Sequence, residues 1–264
     1  MAGVLDGCYV ISLRPVGQHA PLRRAAAARG ARVLALSPWK LARRDDAATR
    51  QALDDALGCA RIIATSPAAV RAAAALRPLQ RQRDQQWLAI GNGTARALAR
   101  AGIDGAIVPA RVDSEGVLES LELRDSDGQR IGLVTAPGGR DLIAPHLRAR
   151  GVDVVRADVY ARVPIRLWPR AIATLAGLDA PRWLALSSGG ALELVLAQLP
   201  PAARERLLGA RVVASSPRLA GLARSLAFAA VTQACGPGPQ DLLAAIVADA
   251  SASMPGIAVA GPTQ

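Results

Sequence analysis

The sequence predicts an α/β fold with parallel sheets, and three features of the 264-residue chain indicate this class. Short, continuous apolar runs, which are typical of buried parallel strands, alternate with helical segments rich in alanine and leucine. Turns of small residues join several of these strands to the helix that follows. Because each strand is separated from the next by a helix, we expect crossover connections between parallel strands.

The elements follow one another in regular alternation from the first residues to the last helix. The predicted strands are Tyr9–Leu13, Arg32–Leu36, Arg61–Thr65, a short strand from Leu88, Ala106–Val108, Ile131–Thr135, an extended stretch Val152–Val163, Trp183–Leu186, Arg211–Ala214 and Ala229–Thr232. The predicted helices are Gln18–Arg29, Ala47–Leu57, Pro67–Leu76, the helix that ends at Gly102, Asp113–Leu121, Arg140–Arg150, Pro169–Ala176, Gly190–Gln198, Ala202–Leu208, Pro217–Leu226 and Gln240–Ala250. Trp39–Asp46 is expected to be a connection.

Proline and glycine set several of these helix bounds. Pro67 suits the first position of its helix, because its missing N–H would have no partner there. Gly30 and Gly102 each end a helix, since glycine readily takes the left-handed conformation needed after the last turn. Pro38 ends the second strand.

The first β-α-β unit is too small to be a domain, so we expect it to pack with the last third of the chain. The stretch between them would then be an inserted domain. The tail is rich in small residues, proline and glycine, which predicts flexibility. We therefore predict a discontinuous domain 1 (1–37 and 166–250), an inserted domain 2 (42–158), two linkers (38–41 and 159–165) and a flexible tail (251–264).

The charge balance favours an anionic partner. The net charge is +11, and Lys40 is the only lysine among 32 basic residues. Arginine matches carboxylates with two hydrogen bonds, which suits a polyanionic ligand. The arginines are scattered and aromatic residues make up only 3% of the chain, so a nucleic-acid surface with stacking side chains is the weaker alternative.

Histidine and cysteine are too scarce for the usual metal and redox sites. Cys8, Cys59 and Cys235 are odd in number and far apart, so we predict neither a disulfide framework nor a zinc site. His19 and His146 are the two histidines, and we expect each to be a surface or partly buried side chain rather than a catalyst.

No apolar run is long enough for a membrane helix, and the N-terminus lacks a basic-then-apolar signal pattern. We therefore expect a cytoplasmic protein that does not bind membranes.

The turn Gly91–Thr94 is the clearest candidate for anion binding. It lies between an apolar strand and a helix, where free N–H groups and the helix dipole attract a carboxylate or phosphate. It lacks the third glycine of a dinucleotide fingerprint and the Gly-Lys-Ser/Thr of a P-loop. The alternative is a tight structural turn with Thr94 near an N-cap.

Several motifs occur in an order that resembles one family, from about Val10 to Ala248. They are Arg14-Pro15, IIATSPAAV at Ile62–Val70, AIGNGTARAL at Ala89–Leu98, TAPGGRDLIAPHLRARGVDV at Thr135–Val154, VYARV at Val159–Val163, ALSSGGALELVL at Ala185–Leu196 and ASSPRLAGLA at Ala214–Ala223. Together they are similar to uroporphyrinogen-III synthases.

The resemblance implies two Rossmann-like, flavodoxin-like domains with parallel sheets, joined by a two-stranded linker, with the active site between them. It implies a lyase that cyclises hydroxymethylbilane, with loss of water and inversion of ring D, to uroporphyrinogen III in tetrapyrrole (haem) biosynthesis. It also implies that no metal or organic cofactor is used. We expect a monomer whose partner is this linear polycarboxylate.

By the same resemblance, Tyr160 corresponds to the tyrosine of the connecting strand and would donate a hydrogen bond to the leaving hydroxyl. Its alternative is a residue that simply favours a β-strand. The substrate-binding candidates are Arg14, Ser66, Thr94, Gly139, Arg140, Ser188, Ser216, Arg218 and Gly238. For those at helix starts, capping alone is the alternative, and for Arg14 it is a solvent-exposed role.

The chain departs from the family at two positions. Pro237-Gly238-Pro239 stands where the family often has Pro-Thr-Pro, so only a backbone N–H is available there. Ala227 replaces a glycine that is common near the end of the preceding helix. A function of another class also remains open, since the same turns would suit a non-catalytic, two-lobed protein that binds a small anion.

Overall fold

A computed structural model describes residues 3–110, 114–119, 128–138 and 142–253. The strands are β1 (Tyr9–Ser12), β2 (Arg32–Ala35), β3 (Trp39–Arg43), β4 (Arg61–Ala64), β5 (Gln86–Ala89), β6 (Arg130–Thr135), β7 (Asp153–Asp158), β8 (Tyr160–Pro164), β9 (Arg182–Leu186), β10 (Arg211–Ala214) and β11 (Val231–Gln233). The helices are α1 (Ala20–Ala27), α2 (Ala47–Leu57), α3 (Pro67–Leu76), α4 (Asn92–Arg100), α5 (Ser114–Glu119), α6 (Ile143–Ala149), α7 (Pro169–Ala176), α8 (Gly189–Leu196), α9 (Pro201–Leu208), α10 (Pro217–Ser225) and α11 (Pro239–Ser253).

The α/β class with parallel sheets is confirmed. Contacts divide the chain into unit 1, which comprises Met1–Lys40 and Pro164–Gln264, and unit 2, which comprises Leu41–Val163. Unit 1 contains a five-stranded sheet in the order β11-β10-β9-β1-β2, and unit 2 contains a four-stranded sheet in the order β5-β4-β6-β7. Every pairing in these two sheets is parallel. Strands β3 and β8 pair with each other in a separate two-stranded sheet.

The sheet of unit 1 is buried on both faces. Successive side chains of a strand point to opposite faces, so Ile11 and Leu184 join one apolar cluster while Val10 and Trp183 join the other. Alanine, leucine, valine and isoleucine form most of both clusters, as the low aromatic content requires. Burial on both faces explains why these strands are continuous apolar runs in the sequence.

In unit 2, α2 packs unusually closely on the sheet. A Cβ atom placed on Gly132 of β6 would lie 2.2 Å from the carbonyl oxygen of Ala56 in α2. A side chain at Gly132 would therefore push the helix away, so glycine is required by the close packing rather than by a turn.

The Asp249 carboxylate connects α11 to three strands of unit 1. It accepts hydrogen bonds from Trp183 Nε1 (2.7 Å), Arg211 Nη2 (2.8 Å) and Thr232 Oγ1 (3.0 Å). The bond from Arg211 is the main reason that the pKa of Asp249 falls to about 2. This half-buried charged group thus adds to the apolar contacts that hold the last helix on the sheet.

The structure corrects three sequence-based expectations. The connection predicted for Trp39–Asp46 contains the strand β3. The last helix continues to Ser253, so the predicted flexible tail is helical over its first three residues, and residues 254–264 lie outside the described residues. Ala106–Val108 contributes only an isolated parallel bridge between Ile107 and Leu88.

The described part of the chain has no helix that combines the length and hydropathy of a membrane span.

Ala227 follows α10 with φ +64°, in the left-handed region that favours glycine. The family resemblance implies a glycine near this position. An alanine in this conformation costs roughly 1 kcal/mol relative to glycine, because its Cβ crowds the backbone.

His19 is buried, which corrects the expectation of a surface or partly buried side chain. It is 7% exposed and precedes α1 as its N-cap residue. Its Nδ1 lies 2.9 Å from Ser12 Oγ, and its Nε2 lies 2.7 Å from Ser37 Oγ. The imidazole therefore connects the ends of β1 and β2 to the start of α1. Burial, helped by the charges of Arg23 and Arg14, lowers its pKa from 6.5 to about 4.

We expect the substitution His19→Gln to reduce the loss of stability in acid. The folded pKa lies below the unfolded one, so the unfolded state binds the proton first as the pH falls. The stabilisation is complete above pH 6.5 and is lost between pH 6.5 and about 4, at a cost of roughly 3 kcal/mol. Urea unfolding across this pH range measures the loss.

The matched control is His146→Gln, which replaces an exposed histidine in α6. We expect this variant to follow the wild-type pH dependence. Equal losses for His19→Gln and the wild type between pH 6.5 and 4 would contradict the role given to His19.

Candidate functional site

Hydroxyl side chains gather at the carboxyl edge of the sheet in unit 2. Parallel strands all end at the same edge, so residues that follow β4 come close to those at the end of β6. Thr65 directly follows β4, and its Oγ1 donates to Oγ1 of Thr135, the last residue of β6, at 2.8 Å. Tyr160 lies two residues beyond β7, the strand next to β6.

Tyr160 is attached to this edge by its hydroxyl group. The side chain is 5% exposed, and its ring packs in the apolar cluster of unit 2. The Tyr160 hydroxyl oxygen lies 3.3 Å from Ser66 Oγ, and either atom can be the donor. The polar end of a buried aromatic side chain is thus held at the start of α3.

Ser66 has two functions in this arrangement. It is the N-cap of α3, and its Oγ accepts a hydrogen bond from Ala69 N at 3.0 Å. Its own hydroxyl proton can be donated to the tyrosine oxygen. In that orientation the Tyr160 proton is free to point towards a ligand. Ser66 therefore caps its helix, as the alternative interpretation predicts, and also contacts Tyr160, the predicted catalytic residue.

The turn between β5 and α4 leaves polar groups available. Gly91, not Thr94, is the N-cap residue of α4, and no side chain caps this helix. Thr94 is 4% exposed, its N–H donates to Gly91 O at 2.9 Å, and its hydroxyl has no hydrogen bond to the described residues. A helix N-terminus without a side-chain cap attracts anions through its N–H groups.

The turns before α3 and α4 are neighbours. A Cβ atom on Gly93 would lie 3.6 Å from the ring of Pro67, the first residue of α3. The starts of α3 and α4, with Ser66 and Thr94, thus lie side by side in unit 2, and Tyr160 adjoins them through its contact with Ser66. We call this set of groups the edge patch.

Unit 1 has a similar pair of turns. Ser188 caps α8 by accepting from Ala191 N at 3.3 Å, and Ser216 caps α10 by accepting from Leu219 N at 3.4 Å. The exposed Arg218 places its Nη1 atom 3.8 Å from the position of a Cβ on Gly189, the first residue of α8. The Arg218 guanidinium therefore lies beside the start of α8, where it adds to the positive potential of the helix dipole.

Arg14 follows the end of β1 and is half-buried. Burial lowers the pKa of its guanidinium below the ordinary value, although arginine remains charged at neutral pH. It forms no ion pair with an acid in the described part of the chain. A half-buried cation without an acidic partner among these residues is available for an anionic ligand.

Gly238 is less available than the sequence predicts. Its N–H already donates to Asp241 Oδ2 at 3.0 Å. A substrate carboxylate would have to displace this acid from the first turn of α11, against the repulsion of like charges. Gly139 and Arg140 lie outside the described residues.

Sequence reasoning did not identify Thr65, Thr135, Ser12 or Ser37. Thr65 had a usable signal, because it lies between an apolar strand and the capping Ser66.

The described residues include no group of three or more histidine, cysteine, aspartate or glutamate side chains that could hold a metal.

The fold and these turns define a class: a parallel α/β protein in two units, with candidate anion-binding groups at the carboxyl edges of its sheets. A sequence model described as uroporphyrinogen-III synthase HemD matches residues 20–244. The chain belongs to the uroporphyrinogen-III synthase family.

Two relatives named uroporphyrinogen-III synthase support this membership. The chain is 33% identical to uroporphyrinogen-III synthase of Escherichia coli K12 over 162 residues, which cover 56% of this chain and 63% of that protein. It is 33% identical to the Salmonella typhimurium enzyme over 152 residues, which cover 54% of this chain and 59% of that protein. The matched segments thus span less than two thirds of these relatives.

Solved structures support the fold. The chain is similar to a mutant uroporphyrinogen III synthase of Thermus thermophilus, with a TM-score of 0.57 and 19% identity, covering 92% of this chain and 98% of the other. It is also similar to the Helicobacter pylori enzyme, with a TM-score of 0.59 and 12% identity, covering 91% and 98%. At these identities the likeness concerns the two-domain α/β fold.

The contact between Ser66 and Tyr160 can be measured by a double-mutant cycle. We expect Ser66→Ala to lower the free energy of unfolding by about 1 kcal/mol, because it removes the cap of α3. Combined with Tyr160→Phe, it should show a coupling of roughly 0.5 kcal/mol or more. Urea unfolding of the two single variants and the double variant gives this value.

Ser216→Ala provides the matched control, since Ser216 caps α10 in the same way and has no hydrogen bond to a tyrosine. Its combination with Tyr160→Phe should be additive. Additivity of the Ser66→Ala and Tyr160→Phe pair as well would contradict the hydrogen bond.

Proposed function

We propose that this protein is a uroporphyrinogen-III synthase, which converts hydroxymethylbilane into uroporphyrinogen III. The family match over residues 20–244 is the observation that carries the proposal. The reaction removes water, inverts ring D and closes the macrocycle, so the enzyme is a carbon–oxygen lyase of haem biosynthesis. We also propose that it acts in the cytoplasm as a monomer, without nucleic acid or membrane as a partner.

The reaction requires few strongly acidic or basic side chains from the protein. The electron-rich pyrrole that carries the hydroxymethyl group expels the hydroxyl. The hydroxyl gains a proton and leaves as water, the N–H of that pyrrole loses a proton, and an electrophilic azafulvene remains. The substituted carbon of the last ring then attacks this centre. Orientation of a flexible substrate supplies much of the catalysis. This reaction is compatible with a chain that has two histidines and a site composed mainly of hydroxyl and N–H groups.

Tyr160 is the group that we propose to act on the leaving hydroxyl. Its ring is fixed by core packing, so only the direction of its O–H bond is adjustable. Ser66 can donate to the tyrosine oxygen, which directs the tyrosine proton outwards. A hydrogen bond from that proton stabilises the oxygen while the C–O bond breaks and the hydroxyl group becomes water.

The substrate carries eight carboxylates, and we propose that helix N-termini, hydroxyls and arginines hold them. Thr94 and the uncapped start of α4 are the best-supported partners in unit 2, because their polar groups are available. In unit 1 we propose Arg14, Ser188, Ser216 and Arg218. Gly139, Arg140 and Gly238 remain candidates from the family resemblance alone.

The product formed from fresh hydroxymethylbilane tests the function. We expect purified protein to yield uroporphyrinogen III, whereas the uncatalysed reaction gives the type I isomer. Separation of the isomers after complete conversion measures the ratio. Formation of type I alone, together with tight calorimetric binding of phosphate or a simple dicarboxylate, would favour the non-catalytic anion-binding protein instead.

Tyr160→Phe then tests the role of the hydroxyl. We expect it to slow formation of the type III isomer roughly 10- to 100-fold, since it removes the proposed hydrogen bond to the leaving group. Tyr9→Phe is the control, because Tyr9 is the other tyrosine and stacks on Arg32 through its ring, which phenylalanine retains. Equal rates for both variants would remove Tyr160 from the mechanism.

A further inference from the structure

Unit 1 contains a cavity of about 390 Å³ that the proposed function does not use. It lies between the turn before α1, the end of β2 and the start of α7, and residues of unit 1 alone line it. This volume is within the range of small-molecule sites, which are commonly several hundred Å³.

Part of the cavity wall is apolar and unusually exposed. Trp168 is 68% exposed and Val16 is 44% exposed, which makes them two of the three large exposed apolar side chains of the described residues. Ala35 and Ala171 complete this apolar part. The exposed Trp168 indole offers a flat surface on which the ring of a ligand can stack. Such a surface is uncommon in this chain, since aromatic residues make up only 3% of it.

The inner wall carries hydroxyl and imidazole groups. Ser37 is 8% exposed and lines the cavity next to His19, whose Nε2 is 2.7 Å from Ser37 Oγ. Ser12 Oγ holds the opposite nitrogen at 2.9 Å. A neutral imidazole donates from one nitrogen and accepts at the other. When Nε2 of His19 carries the proton, it donates to Ser37 Oγ, and the Ser37 proton is then free for a ligand. In the other tautomer, Nε2 accepts the Ser37 proton.

The charge around the cavity is positive. Arg23 lines it, and Arg14 lies close enough to oppose protonation of His19. Neither guanidinium forms an ion pair with an acid among the described residues, and no acidic side chain in that part of the chain lines the cavity. Arg23 is exposed, so it can turn towards a ligand. An apolar wall beside an unpaired guanidinium and a buried hydroxyl is complementary to a ring that carries a carboxylate.

We propose that this cavity is a binding site for a small aromatic carboxylate. The ring lies against the Trp168 indole, and the carboxylate pairs with Arg23 and accepts a hydrogen bond from Ser37. This proposal is separate from the proposed catalytic function, which assigns no role to Arg23, Ser37 or Trp168.

Benzoate is a suitable probe, with benzamide and acetate as its controls. We expect saturable binding of benzoate by calorimetry, with quenching of the fluorescence of the exposed Trp168. Benzamide keeps the ring but lacks the charge, and acetate keeps the charge but lacks the ring. We expect each to bind at least about tenfold more weakly, since each loses one of the two contacts. No saturable benzoate binding, or equal binding of benzamide, would overturn the proposal.

Neighbouring arginines on α1 provide a matched pair of variants. We expect Arg23→Ala to weaken benzoate binding about tenfold, and Arg24→Ala to leave it within about twofold, because only Arg23 lines the cavity. Both side chains are exposed and alanine favours helices, so both variants should fold. Equal weakening by the two substitutions would show attraction to general positive charge and would overturn the site.

Trp168→Ala should abolish the fluorescence quenching and weaken benzoate binding. Retention of both the quenching and the affinity would overturn the stacking contact.

Discussion

Parallel strand pairing is the constraint on which the rest of this structure depends. In unit 2, β4 pairs with β6 and β6 pairs with β7, so all three end at one edge. This register brings Thr65 within 2.8 Å of Thr135 and Ser66 within 3.3 Å of Tyr160, although each pair is separated by at least 70 residues in the chain. No local motif could join these groups. The edge patch exists because the carboxyl ends of these parallel strands lie at the same edge of the sheet.

Helix capping separates the groups that are committed to the fold from those that remain available. Ser66, Ser188 and Ser216 each accept a backbone N–H at the start of a helix, which satisfies one of the N-terminal donors. Thr94 does not cap its helix, and α4 begins without a side-chain acceptor. The stabilising role and the proposed binding role are therefore combined at Ser66, whereas Thr94 has only the proposed binding role. In unit 1 single side chains also connect several elements: Asp249 connects α11 to three strands, and His19 connects the start of α1 to the ends of β1 and β2.

The local parts of this architecture could be predicted from the sequence. The helices Ala47–Leu57, Pro67–Leu76 and Pro169–Ala176 have the predicted bounds, because capping residues and prolines mark their ends within a few residues of the chain. The strand Trp39–Arg43 was missed, since it pairs only with β8 and lacks the continuous apolar pattern of a central strand.

Side-chain environments that depend on distant segments could not be predicted. His19 is buried because Ser12 and Ser37 lie at the ends of two adjacent strands, and a sequence window around His19 contains neither the pairing nor the cavity beside it. The hydrogen bond from the Gly238 N–H to Asp241 is different, because it spans only three residues, and the acid in the first turn of α11 was a usable local signal.

Amide hydrogen exchange with and without uroporphyrinogen III tests the central claim most directly, namely that the carboxyl edge of the unit 2 sheet holds the polycarboxylate. We predict that bound tetrapyrrole slows exchange at Asn92 and Gly93, the first residues of the uncapped helix α4, where backbone N–H groups are free. Unchanged exchange at these amides, with protection confined to the opposite edge where β4 and β5 begin at Arg61 and Gln86, would contradict the account.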